Sequence, residues 1–233
     1  MDAYTPWSGH YAVQNPVWVT AHTTQFTEIG WHYLMHDYGV GNFTHQGSYV
    51  SLTDPTKTQL TIIMESMTRD HSVCYRPPLP PYTVEPQLVA FTLQGSFSGI
   101  TQLHHWSSDL KYDGWVSQVF VYNGPVPVVG GVFRLELDVD AVHTFTTLNT
   151  GHKGSFEDPP RDVPLPIPYE EKFEDNAVDE EPELLAQQGG AFEVMQEGGN
   201  KFVRQKVVKK PVSWCLHMQN ATTFPYAVIG DGT

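Results

Sequence analysis

Apolar residues recur mainly at every second position, with polar turns between the runs. Residues 17–26 (Val-Trp-Val-Thr-Ala-His-Thr-Thr-Gln-Phe) follow Pro16, are dense in β-branched and aromatic side chains, and are apolar on both faces at their start. That pattern predicts a strand covered from both sides. Shorter runs at 30–34, 49–52, 60–64, 88–93, 115–122 and 132–137 are separated by Gly, Pro, Asn and Asp clusters. They predict antiparallel strands joined by tight turns, the signature of a β-sandwich. No amphipathic helix of ordinary length is predicted before residue 150, because the apolar period is two and not three to four.

Residues 158–168 carry Pro159, Pro160, Pro164, Pro166 and Pro168. Proline fixes φ and removes backbone donors, so this stretch predicts an extended linker between domains. An acidic stretch at 170–183 follows, and strand patterns return at 189–194 and 201–208. The roughly 65 residues after the linker are short for an independent sandwich of about 100 residues, which predicts that the last domain is truncated.

Composition narrows the partners. With 233 residues and 40% hydrophobic positions the chain has room for one or two cored domains. Its 26 acidic and 13 basic side chains give a net charge of −13. A polyanion would be repelled, so nucleic acid is excluded as a partner unless the cations are gathered in one place. The basic run Lys201, Arg204, Lys206, Lys209 and Lys210 alternates with apolar residues and predicts the wet face of a strand. No apolar run approaches the roughly 20 residues of a membrane span, and no signal-peptide succession is present. Cys74 and Cys215 define no disulfide framework.

Candidate chemistry is sparse. His32 and His36 have the spacing of a helical metal pair, but the strand-like context and the lack of a third ligand favour ordinary histidines, as for His104 and His105. Glu28, Glu65 and Asp70 are the carboxylates in aromatic or apolar neighbourhoods, and none forms a credible pair for glycoside hydrolysis. No catalytic residue is therefore assigned. Arg76, followed by Pro77 and Pro78 and near Tyr82, is held by a stiff backbone in a setting suited to hydrogen-bonding sugar hydroxyls; a solvated surface arginine is the plainer reading. Asn42-Phe43-Thr44 and Asn220-Ala221-Thr222 are N-glycosylation sequons.

Longer strings carry a family resemblance. Pro6-Trp7-Ser8-Gly9-His10-Tyr11, the run from Trp18 to Thr27, Gly47-Ser48-Tyr49-Val50-Ser51-Leu52-Thr53-Asp54, and His71-Ser72-Val73-Cys74-Tyr75-Arg76-Pro77 closely resemble the galactocerebrosidases. The run from Phe145 to Ser155 and Pro211-Val212-Ser213-Trp214 extend the likeness. The resemblance implies a mainly β chain in which residues 1–29 hold the last strand of a (β/α)8 barrel, 30–155 a β-sandwich, 156–168 the linker, and 169–233 the start of a lectin-like β domain.

It further implies a lysosomal glycosidase, reached by the secretory pathway, that removes β-galactose from galactosylceramide and related sphingolipids by retaining hydrolysis. Both catalytic glutamates would precede Met1, leaving this chain inactive alone. Arg76 matches the arginine that contacts galactose and Trp214 the tryptophan that lines the pocket. Cys74 matches a cysteine whose disulfide partner lies in the absent barrel, and His22, Thr23 and Thr24 would end the final barrel strand. The implied partners are a galactosphingolipid and a lipid-presenting activator protein. No cofactor serves the chemistry, and a structural calcium ion belongs to the lectin-like domain, with no ligand assigned within 170–179. The competing class is a stand-alone carbohydrate-binding module, and a third is a purely structural β protein.

Overall fold

The computed structural model describes residues 5–68, 82–110, 118–207 and 226–230. They fall into two units. The larger lies within Gln14–Ser72 and Pro80–Phe156, and the smaller takes in the described residues 5–13, 157–207 and 226–230. Among the described residues the chain is mainly β and antiparallel, with no barrel.

The larger unit opens on a helix, α1 (Asn15–Thr24), which corrects the strand expected over residues 17–26. Pro16 sits in its first turn, where a missing N–H costs nothing and the fixed φ suits the helix. Threonines of the run that suggested a strand are accommodated by back-bonding: Thr20 Oγ1 donates to the Pro16 carbonyl at 2.8 Å, and Thr24 Oγ1 to that of Thr20 at 3.2 Å. Trp18, Ala21, His22 and Phe26 then fall on one face at helical spacing, and Ala21, His22 and Phe26 are buried.

Seven strands form one sheet: β1 (His32–Tyr33), β2 (Val40–Asn42), β3 (Ser48–Thr53), β4 (Leu60–Glu65), β6 (Gln102–Asp109), β7 (Gln118–Pro127) and β9 (Ala141–Thr146). Their order is β1-β3-β4-β9-β6-β7, with β2 also paired to β3. A second, two-stranded sheet pairs β5 (Gln87–Thr92) with β8 (Val132–Leu137). Leu60, Ile62 and Met64 of β4, Leu103 of β6 and Phe145 of β9 pack with Phe133 of β8 in one core, so the two sheets are layers of a sandwich. Phe133 and Phe145 lie 4.8 Å apart between ring centroids.

Helix α1 covers the other face of the large sheet. Phe26 packs with Trp106 and Phe120, and Thr61 Oγ1 donates to the Phe26 carbonyl at 2.8 Å. All six residues of β9 are buried, because one face meets the second sheet and the other meets the helix. A Cβ on Gly151 would stand 2.6 Å from both Phe26 and Trp106, so only glycine lets the chain leave the sheet there.

The smaller unit holds a hairpin of β11 (Ala191–Glu197) and β12 (Asn200–Val207), turned at Gly198 and Gly199, which both have positive φ. A second pair joins β10 (Ala186–Gly189) to β13 (Tyr226–Val228). The cations of β12 are engaged locally. Arg204 pairs with Glu197 at 2.5 Å and Lys206 with Glu193 at 3.1 Å. Lys201 Nζ donates to the carbonyls of Glu174 and Asn176, each at 2.7 Å.

Candidate functional site

An open cavity of about 800 Å³ lies on the sandwich, between the β2, β3 and β4 end of the large sheet and strand β5. Its floor is apolar for a local reason. The Phe43 N–H donates to the Gly47 carbonyl at 3.0 Å and closes a tight loop after β2, which turns Phe43 onto Tyr49 with centroids 5.3 Å apart. Phe91 of β5 meets Tyr49 edge-on at 5.0 Å, completing a three-ring wall. Met35, Tyr38 and Leu88 line the mouth with 75%, 85% and 71% of their surface exposed. Asp37, Asn42 and Lys57 add polar groups to the lining. An apolar floor and rim with a few polar groups in the lining suit binding of an amphipathic group. Asp37 is the one carboxylate in the lining, so the cavity offers no acid and nucleophile pair.

A second constellation is buried inside the sandwich unit. His22 Nδ1 lies 2.8 Å from Thr144 Oγ1, and His22 Nε2 lies 2.7 Å from Ser108 Oγ. Thr144 already donates its hydroxyl proton to the His22 carbonyl at 3.0 Å, so it accepts from His22 Nδ1–H. Ser108 accepts from the Phe120 N–H at 2.8 Å and donates to His22 Nε2. The network thus fixes a neutral ring with its proton on Nδ1. Burial, then the charges of His143 and His105, lower the His22 pKa to about 3.

On the opposite face of the sheet, His105 Nε2 and His143 Nδ1 share a hydrogen bond of 3.0 Å, and His105 stacks on Phe145 at 4.3 Å. Desolvation, then the charge of His143, lowers the His105 pKa to about 4. Desolvation also lowers the His143 pKa to about 4, against the opposing pull of Asp138 and Asp109. These rings are structural groups held neutral. His22, His105 and His143 stand 38 or more positions apart and show no linear signal; only strand pairing and the docked helix bring them together.

Of the residues singled out in the sequence, Arg76, Trp214, Cys74, Asn220, Asp70, Cys215, Lys209 and Lys210 lie outside the described residues. Asn42 ends β2 and is exposed. His32 lies in β1 and His36 beyond it, bridged to Val40, so no helix presents the two together. His22, Thr23 and Thr24 belong to α1 and not to a strand end. Glu28 is exposed. Glu65 accepts from Ser48 Oγ at 2.6 Å and from the Met67 N–H at 2.8 Å, a turn-closing role.

Among the described residues, no group of three or more His, Cys, Asp or Glu side chains is placed to hold a metal ion. The carbonyls that converge in the acidic stretch, those of Glu174 and Asn176, are already served by the Lys201 ammonium. No helix among the described residues is long and apolar enough to cross a membrane.

Comparison with known proteins bears on the same region. The family model for the glycosyl hydrolase family 59 central domain matches residues 33–152, which hold the cavity and the His105–His143 pair. The chain is 44% identical over 237 residues to the galactocerebrosidase of Danio rerio, covering 99% of this chain and 35% of that protein. It is 41% identical over 241 residues to the galactocerebrosidase of Homo sapiens, covering 99% of this chain and 34% of that protein. The chain therefore spans about a third of the length of the curated relatives it matches.

Proposed function

This chain belongs to glycosyl hydrolase family 59, the galactocerebrosidases, and from that premise we propose that it supplies the sandwich and the following β region of an enzyme that removes β-galactose from galactosylceramide and related sphingolipids. The observation that carries the reading is the 44% identity maintained over 99% of the chain. The chemistry is retaining hydrolysis: one carboxylic acid protonates the glycosidic oxygen while a carboxylate about 5–5.5 Å away attacks the anomeric carbon, and water then releases the sugar. Neither carboxylate is assigned to these residues. Glu65 is occupied by Ser48 and Met67, and Glu28 stands in solvent.

Residues of this chain then shape the mouth of the site. Arg76 would donate to galactose hydroxyls through its guanidinium, and Trp214 would stack its ring on the apolar face of the sugar. Cys74 would be bridged to a cysteine elsewhere in the enzyme. A lipid-presenting activator protein and an acidic, lysosomal destination reached through the secretory pathway belong to the same proposal. The net charge of −13 suits such a lumen, since protonation of carboxylates relieves self-repulsion there.

The test is Arg76→Ala in the full-length enzyme. Loss of a charge-assisted hydrogen bond to the sugar lowers kcat/KM for galactosylceramide about 10- to 100-fold, with the melting temperature unchanged. Wild-type kcat/KM in a folded variant would refute the assignment.

A further inference from the structure

The cavity on the sandwich has an exposed apolar mouth, and one glycosylation sequon stands in its lining. Asn42 is the last residue of β2, paired with Ser48 across the hairpin. Both Asn42 and Thr44 of the sequon are exposed, while Phe43 between them turns inward onto Tyr49. The tight loop after β2, closed by the Phe43 N–H on the Gly47 carbonyl, turns the middle residue inward and leaves exposed the two that glycosylation requires. Asn42 shares the cavity lining with Met35, Tyr38 and Leu88, each more than two-thirds exposed. Exposed apolar side chains gathered at one cavity mark a surface that something else meets.

We propose that Asn42 carries an N-linked glycan whose inner sugars lie over this rim and close the cavity mouth. The C–H faces of the sugars would pack on the Tyr38 ring and the Leu88 and Met35 side chains, while their hydroxyls stay in water. In the transfer step, the Asn42 Nδ2 forms a bond to C1 of the first sugar of a lipid-pyrophosphate-linked oligosaccharide. The C1–O bond to the pyrophosphate breaks, the lipid pyrophosphate leaves with the electron pair, and the amide proton passes to a base of the transferase. The proposal rests on the secretory route within the proposed function and is independent of the galactolipid reaction.

The experiment uses the full-length protein made through the secretory pathway of cultured animal cells. An amidase that releases N-glycans is applied in heavy-oxygen water to native and to denatured protein, and the Asn42 and Asn220 peptides are weighed. The proposal expects a labelled aspartate at position 42, slower release from native than from denatured protein, and about a twofold rise in binding of a hydrophobic dye once the glycan is removed. Thr44→Ser keeps the modification and Thr44→Ala abolishes it, with the same rise in dye binding. An unlabelled Asn42 beside a labelled Asn220 overturns the proposal and leaves the secretory route standing. Label at neither position sinks both, and a glycan whose removal leaves dye binding unchanged overturns its covering role. Galactolipid hydrolysis assayed on the same sample reports separately on the proposed activity.

Discussion

His22, His105 and His143 are the residues whose chemistry the fold changes most. Each ring is buried with its neutral form preferred, and His143 Nε2 has no hydrogen-bond partner among the described residues. Their folded pKa values lie below the ordinary 6.5, at about 3 for His22 and about 4 for the other two. The unfolded chain therefore binds protons first as the pH falls. The stability these rings contribute is complete above pH 6.5 and declines as the pH drops through the window toward 4. Each contributes a slope on the order of 1.4 kcal/mol per pH unit in that window. Urea unfolding at pH 6.5 and pH 5 is expected to show this loss, and His143→Leu is expected to reduce the slope by about one histidine's share. An unchanged slope in a folded variant would place the proton uptake elsewhere. An acidic lumen thus works against this unit, and its other interactions must carry the difference.

Elements depend on a few positions where backbone geometry overrides propensity. Residues 17–26 have the composition of a strand, yet Pro16 and the threonine back-bonds accommodate a helix, and the Trp18, Ala21, His22, Phe26 spacing seats it on the sheet. That spacing is present in the sequence, but the dense β-branched content between its positions masks it at the local level. Strands β6 and β9 are the reverse case. Their sequences, QLHHWSSD and AVHTFT, place His, Ser and Thr inside, so no apolar alternation announces them. The polar side chains are tolerated because α1 satisfies them, as with Ser108 and Thr144 on His22. The β2–β3 hairpin hangs on Gly47, whose φ is +85° and whose added Cβ would stand 2.6 Å from the Glu65 carbonyl oxygen. Gly47→Ala is expected to destabilise the sandwich by about 1–3 kcal/mol in thermal or urea unfolding, from left-handed strain and overpacking together. A variant as stable as the parent would mean that the hairpin yields freely there.

For the molecule as a whole, the described residues give two β units, and the cavity on the sandwich is lined by one carboxylate, Asp37. The 233-residue chain assayed alone is accordingly expected to release no galactose from galactosylceramide, measured by product formation over its own blank; turnover would mean that an acid and a nucleophile lie within these residues.

Sequence by itself determined the class of fold, because period-two apolar runs can bury only one face of a sheet, and it determined the family, because long ordered strings such as that from Gly47 to Asp54 seldom arise twice. It also singled out Asn42, since a sequon is a local pattern. Tertiary structure alone decided that residues 15–24 coil into a helix against the sheet, that three distant histidines are held neutral on the two faces of one sheet, and that Asn42 stands in the lining of an apolar cavity. The physical reason is the range of the forces involved. Propensity and alternation act between neighbours in sequence, whereas desolvation, hydrogen-bond satisfaction and packing act between whatever the fold brings within a few ångströms.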